Sequence, residues 1–249
     1  MQTKRLWVGS NHFLEPHHQK ELRASGLTLK TIKKSGVWSA HFHEVGELLG
    51  NDRNLSSGLV FPYPTLDGEK PYAAVKLDDV EPDADGKVQR YRLPSKRGNR
   101  LYIPLTFDRS VLQDVSRTLC LTEGQKKTLA AIQNLIDCVG LSGVFNWRMK
   151  NDKGFAVPIP DLDEIEWGGR RVEIVFDSDA TTNPNVLTAE KRLAVELSRR
   201  GARVFSVRLP EGPNGNKVGL DDYLKEHDKE EFPRWTVKTG HRWTPENRP

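Results

Sequence analysis

The sequence predicts an α/β protein, and two observations carry that prediction. From residue 119 onward, short apolar runs alternate with amphipathic helical stretches, the pattern of a mostly parallel sheet with flanking helices. Before it, residues 56 to 105 carry Pro62, Pro64, Gly68, Pro71, Pro82, Gly86, Pro94 and Gly98, turn residues at short intervals with strand-like pieces between them. That second pattern predicts a small antiparallel subdomain. We divide the chain into residues 1–112 (a helical hairpin plus this basic β subdomain), 113–231 (the α/β domain) and 232–249 (a tail with no clear period).

The bulk numbers are compatible with this division. A chain of 249 residues suits one large domain or two small ones. Hydrophobic residues at 36% and charged residues at 29% lie far from the extremes of disorder. No apolar run approaches the roughly 20 residues that span a bilayer, and the N-terminus lacks the apolar core of a signal peptide. A cytoplasmic protein with no membrane partner is expected. The net charge of +4 permits nucleic-acid binding without requiring it. Cys120 and Cys138 both open predicted strands and read as buried free thiols, too few for a zinc ribbon.

In chain order, residues 17–40 predict two short helices punctuated by Gly26 and Gly36, with Thr28 as N-cap of the second. His17, His18, His41 and His43 have no acidic or cysteine ligands at a recognised spacing, so they are not read as a metal cluster. The strand-like pieces are GLVFPY, YAAVKL, VQRYRL and NRLYIPL. The last two carry Arg90, Arg92, Lys96, Arg97 and Arg100 near Tyr91 and Tyr102. Alternation puts Arg90 and Arg92 on one face and Tyr91 on the other. The strip is either a track for a sugar-phosphate backbone and stacked bases or the solvated face of a sheet. Then come a strand ending in Glu123-Gly124, a helix with Leu129, Ile132 and Ile136 on one stripe, and a strand at CVGLSGV. Residues 146–169 read as an insertion or long loop. The strand RRVEIVFDSD follows, then a helix facing inward through Ala189, Leu193 and Leu197, a strand at ARVFSVRLP, and a loop that turns into a helix at LDDYLKE.

The acids fall in one place in this scheme. Glu123 ends one strand, and Asp177 and Asp179 end another. In a parallel sheet these strand ends share an edge, where open α/β sheets place ligands. Two residues apart on an extended backbone, Asp177 and Asp179 point to the same side. Carboxylates held that close repel unless a cation lies between them, and a hard divalent ion such as magnesium suits oxygen ligands. Asp221 and Asp222 follow the last strand from the same edge, and Lys126, Lys127 and Lys217 border it.

TEG at 122–124 and DSD at 177–179, each followed by a helix, resemble the Toprim domain shared by bacterial-type primases, topoisomerases, small nucleases and recombination proteins. The flanking blocks ELRASGLTLKTIKKSG, RYRLPSKRGNRLYIPL, GLSGVFNW and LPEGPNGNKVGLDDYL extend the similarity across residues 17–225, to the Toprim-like domain of phage and plasmid primase-helicase proteins. The resemblance implies a Toprim fold, Rossmann-like, preceded by a small α+β subdomain. It also implies a magnesium- or manganese-dependent nucleotidyltransferase acting on DNA, most simply a primase making primers on a single-stranded template from nucleotides. Glu123 would be general acid or base or a water-mediated ligand, Asp177 and Asp179 the metal ligands, and Asp221 the completing one. Arg90, Arg92, Lys96, Arg97, Arg100, Lys126, Lys127 and Lys217 would approach the nucleic acid. A Toprim nuclease and a non-catalytic recruitment module are the alternatives. The chain departs from the pattern in two ways. Its two cysteines leave no zinc-binding template module within these residues, so a helicase or zinc module on another chain is an expected partner. Where many Toprim proteins place a glycine after the Asp pair, this chain has ATTNP, and Pro184 predicts an irregular loop before the helix.

Overall fold

A computed structural model describes residues 13–50, 55–64, 71–82, 86, 88–227 and 236–238. The chain opens with α1 (Pro16–Ala24) and α2 (Leu29–Ser35). Thr28 caps α2 through the Thr31 N–H, and Gly36 closes it in the left-handed region with φ 70°. Next come β1 (Trp38–Ala40), α3 (Phe42–Leu49), β2 (Gly58–Tyr63), β3 (Tyr72–Leu77) and β4 (Tyr91–Arg92), and the four strands form an antiparallel sheet in that order. The helix α3 was not expected. Its signal is Val45, Leu48 and Leu49 at helical spacing, all buried against β2 and β3.

The piece NRLYIPL does not join this sheet as expected. Tyr102 makes an isolated antiparallel bridge to Gly140 instead, exchanging both backbone bonds at 2.8 and 2.9 Å. Its neighbours Leu101 and Ile103 are buried in the core of the second sheet. The segment therefore ties the two sheets together.

That second sheet contains β5 (Leu119–Glu123), β6 (Cys138–Leu141), β9 (Arg171–Val175), β10 (Arg203–Val207) and β11 (Thr236–Lys238). The order is β11-β10-β9-β5-β6, parallel except for β11. The helix α4 (Gln125–Gln133) links β5 to β6, and α5 (Pro184–Arg199) links β9 to β10. From β5 the chain steps outward one way to β6. From β9 it steps the other way to β10. The order therefore reverses between β5 and β9, the position at which open α/β sheets form a ligand crevice. Part of the expected tail, at 236–238, is an edge strand; its other residues lie outside those described.

Both sheet faces are covered. Leu119, Leu121, Val172 and Ile174 pack with Leu193, Ala194 and Leu197 of α5. Cys120, Val175 and Val207 pack with Ala131 of α4 and with Leu220, Tyr223 and Leu224 of α6 (Leu220–Glu226). Cys120 and Cys138 are buried free thiols in register on neighbouring strands, as read from the sequence.

Residues 146–169 are not a loose loop. They form the hairpin β7 (Arg148–Lys150) and β8 (Ala156–Pro158) and then a short helical turn, and Trp147, Ile159, Leu162, Ile165 and Trp167 join the main core. Nor does Pro184 make an irregular loop. It is the first residue of α5, where its missing N–H costs nothing, and Asn183 caps the helix through the Asn185 N–H.

Gly140 sets how closely α4 rides on β6. A Cβ there would stand 2.2 Å from Thr128 Oγ1 and 3.3 Å from Tyr102 Cβ. Gly140→Ala should lower unfolding stability in chemical denaturation by about 1–3 kcal/mol. Adding Thr128→Ala, which removes the colliding oxygen, should recover part of that loss rather than add to it.

Candidate active site

The crevice between β5 and β9 is built from four chain segments. Glu123 is the last residue of β5. Gly124 then turns at φ 102° to start α4, and its N–H donates to Leu141 O at 2.7 Å, fixing the strand-to-helix corner against β6. That φ belongs to glycine, so the Glu-Gly order is a backbone requirement as well as a motif. Thr122 Oγ1 donates to Val175 O at 2.8 Å, locking the ends of β5 and β9.

The strand β9 stops at Val175, two residues before the acids. Asp177 directly precedes a single 3-10 turn, Ser178–Thr181, that contains Asp179, and its side chain makes no capping bond. The two carboxylates therefore do not share a side by strand alternation, as the sequence suggested. The turn brings them together instead, and one cation bridges them. Lys217 Nζ lies 2.9 Å from Asp177 Oδ2 and 3.1 Å from Asp179 Oδ2. Lys127 Nζ, from the first turn of α4, takes Asp177 Oδ1. The other Asp179 oxygen, Oδ1, is buried without a hydrogen-bond partner.

Ser178 fixes the loop that brings Lys217. Its N–H donates to Val218 O at 2.9 Å, and its Oγ accepts the Val218 N–H at 2.9 Å. Only the return of a loop 40 residues later reveals its part.

The fourth segment is the start of α6. Asp221 is buried, with 7% of its surface exposed. A Cβ placed on Gly219 would stand 2.8 Å from Asp221 Oδ1, 2.8 Å from Lys127 Cε and 3.5 Å from Asp177 Oδ1. Glycine thus leaves open the space that three site side chains surround. Asp222 turns outward. It accepts the Gly219 N–H at 3.3 Å and pairs with Lys225 at 2.9 Å, so it caps the helix. Burial works to raise its pKa, but the bond from Lys225 outweighs it and holds the carboxyl below the usual range.

Glu123 behaves differently. Burial pushes its carboxyl above the usual range, Lys127 and Lys217 pull it down, and Asp177 and Asp179 push it up again, with a net rise. Lys217 is held above its ordinary value: burial opposes its charge, but Asp177 and Asp179 more than offset that. Oxygen-rich acids at this density match a hard divalent cation, and the unsatisfied Asp179 Oδ1 supplies a donor with nothing to bind. Glu123, Asp177, Asp179 and Asp221 are the right donors for such an ion, but no three of them bring ligand atoms within 4.8 Å of one another here, and Lys217 stands where the positive charge is needed.

The expected nucleic-acid residues divide. Lys127 and Lys217 are in the acid cluster. Lys126 is not: it pairs at 3.0 Å with Glu21 of α1, which also binds Lys76. Arg97 donates to Pro71 O and lies 5.5 Å over the Tyr72 ring. Arg100 pairs at 3.0 Å with the buried Asp161, whose other oxygen accepts the Leu101 N–H at 2.6 Å. Arg97 and Arg100 hold the scaffold together. Arg90 and Lys96 are exposed and Arg92 half-exposed. The aromatics expected to stack bases are engaged elsewhere. Tyr102 is fully buried, and Tyr91 packs 6.3 Å from Phe61. Burial, followed by the charges of Glu21, Asp221 and Glu123, pushes the Tyr91 phenol far above its usual range.

The raised Glu123 gives a signed prediction. Its folded-state pKa exceeds the unfolded value, so between the two the native chain binds the extra proton. The stability that this group contributes is complete below the unfolded pKa and is lost as pH rises through the folded pKa. Carboxyl NMR titration should find Glu123 above the other glutamates. Lys127→Ala should raise it further, and Asp177→Asn should lower it. In Glu123→Gln the matching segment of the stability-pH curve should flatten.

Comparison with known proteins gives the fold. No curated protein matches the sequence. The RNA polymerase domain of Mycobacterium tuberculosis primase DnaG superposes with a TM-score of 0.60 at 14% identity, covering 89% of this chain and 76% of that one. The same domain in complex with double-stranded DNA gives 0.58 at 15%, covering 88% and 73%. The zinc-binding and RNA polymerase domains of Aquifex aeolicus primase give 0.58 at 16%, covering 87% of this chain. The chain spans 54% of that Aquifex structure. The fold is thus that of primase RNA polymerase domains, as the Glu and Asp-x-Asp blocks implied. Residues 107–231 match a family model described as a domain of unknown function, DUF3854, and that match takes in every segment of the acid cluster. Half of the chain lies within it, and the chain belongs to that family.

Proposed function

We propose that the protein is a metal-dependent nucleotidyltransferase that makes primers on single-stranded DNA. One observation carries the reading: Asp177 and Asp179 share the cation Lys217 beside the switch point of the sheet, where Glu123 also ends its strand, and Asp179 Oδ1 is left unpartnered. Magnesium or manganese held by these four residues would supply neutralisation of phosphate charge and a more acidic attacking hydroxyl.

The chain's own groups have definable tasks. Glu123, already protonated more readily than an ordinary glutamate, is suited to accept a proton from a 3′ hydroxyl and release it. Lys217 is half-exposed and rides on a loop, so it is placed to swing from the acids to a nucleotide phosphate, which would leave Asp177 and Asp179 free to hold a metal ion. Lys127 is more enclosed and stays as a fixed counter-charge on Asp177. Arg90, Arg92 and Lys96 form the approach for the template backbone. Support for DNA as ligand comes from the Mycobacterium domain solved with DNA. The sequence blocks support a place in phage or plasmid replication, with a helicase or zinc module on a second chain. Among the described residues no helix is long and apolar enough to cross a membrane.

The test is primer synthesis with labelled ribonucleotides, a single-stranded template and magnesium or manganese. Short products should appear and fall by at least roughly a hundredfold in Asp177→Ala and Glu123→Ala. Arg90→Ala with Arg92→Ala should weaken template binding and shallow its salt dependence by about two phosphate contacts. In Arg97→Ala, stability should fall with little change in that slope. Metal-dependent degradation of the template in place of primers would assign the same carboxylates to a nuclease. DNA binding with neither product would leave a recruitment module.

A further inference from the structure

The structure carries a cluster of metal-ligating groups at the start of α1, about one helical turn before Glu21. His17 and His18 open α1, and Asp78 directly follows β3. His18 Nε2 lies 2.7 Å and His17 Nε2 3.7 Å from Asp78 Oδ1, and all three ligand atoms fall within 4.8 Å of one another. They line a cavity of about 250 Å³ that also touches Glu15, His41 and Glu44.

We propose that His17, His18 and Asp78 bind a transition-metal ion of zinc type, independently of the carboxylates at the sheet edge. Two imidazoles and one carboxylate are the donors such an ion takes, whereas magnesium selects oxygen. The spacing suits it. Ligand atoms around a tetrahedral zinc are about 3.3 Å apart, and the two measured separations bracket that value.

The ligands are also oriented from behind. His18 Nδ1 is 2.7 Å from Ser39 Oγ, and the second Asp78 oxygen accepts from Ser57 Oγ at 2.9 Å. Outer hydrogen bonds of this kind fix the ring and carboxylate of a metal ligand. Ser39 Oγ is itself held, accepting the Glu15 N–H at 2.8 Å. Without metal, the His18 Nε2–H donates to Asp78. On binding, the ring proton resides on Nδ1 and is donated to Ser39 Oγ, and Nε2 offers its lone pair to the ion. His17 is exposed at 62%, so its ring has room to close the longer gap and leaves the ion's fourth position to water.

The sequence hid this site because Asp78 lies 60 residues from His18. His41 lines the cavity, and His43 lies outside the trio. A metal here would clamp α1 to the end of β3. Since α1 carries Glu21, and Glu21 holds both Lys76 and Lys126, the clamp would stiffen the support under α4.

The test uses the full chain without an affinity tag, stripped with chelator and titrated with cobalt(II) as a spectroscopic stand-in for zinc. One cobalt per chain should give the intense visible absorption of a four-coordinate nitrogen and oxygen site, and zinc should displace it. His17→Ala, which removes an exposed side chain and should leave the fold intact by circular dichroism, should weaken binding roughly tenfold or more. Asp177→Asn with Asp179→Asn should leave the spectrum unchanged. Absence of the spectrum, or its persistence in both His17→Ala and Asp78→Asn, would overturn the proposal. So would its loss in the Asp177 and Asp179 variant alone.

Discussion

Repulsion between carboxylates at the end of a buried strand is the constraint around which this protein is arranged. Asp177 and Asp179 sit on one tight turn, with Glu123 and Asp221 nearby. Carboxylates brought that close repel one another and draw cations from elsewhere in the chain. The chain supplies two lysines from different segments, and each needs its own support. Lys127 depends on the Gly124 corner and on how closely α4 seats against Gly140. Lys217 depends on the paired backbone and side-chain bonds between Ser178 and Val218. The local order of β9, α4 and the loop before α6 is thus what makes the acid cluster tolerable. An arrangement neutralised by a half-exposed lysine is also one that a stronger cation can take over.

The N-terminal sheet is coupled to this cluster. Tyr63 of β2 shares a buried polar group with Gln125 and Ser142: Gln125 Nε2 donates to Tyr63 OH at 2.8 Å and to Ser142 Oγ at 2.9 Å. Gln125 is the first residue of α4, so β2 bears directly on the helix that carries Lys127. The phenol of Tyr91 on β4 is held high by burial and by the charges of Glu21, Asp221 and Glu123. Glu21 of α1 joins β3 to α4 through Lys76 and Lys126. Changes in the first hundred residues therefore reach the site through hydrogen bonds and ion pairs as well as through any bound strand.

What the sequence made legible was local. Apolar runs ending in acids identified β5 and β9, helical stripes identified α4 and α5, and Thr28 and Gly36 marked the bounds of α2. What it concealed depends on distant partners. Residues 146–169 have no period because a hairpin and a turn, not a long helix or strand, bury Trp147, Ile159 and Trp167. NRLYIPL has the composition of a strand, yet its pairing partner is Gly140 in the other sheet. Arg97 and Arg100 looked like Arg90 and Arg92 until Pro71 O and Asp161 appeared beside them. The Asp-x-Asp spacing pointed to a shared site, but a 3-10 turn and Lys217 produce it, not strand alternation.

The most direct measurement of the central claim is anomalous diffraction from crystals of the protein soaked in manganese. The account predicts a peak among Glu123, Asp177, Asp179 and Asp221, with Lys217 withdrawn from both aspartates. Lys217 still bridging Asp177 and Asp179 at saturating manganese, with no peak beside them, would contradict it.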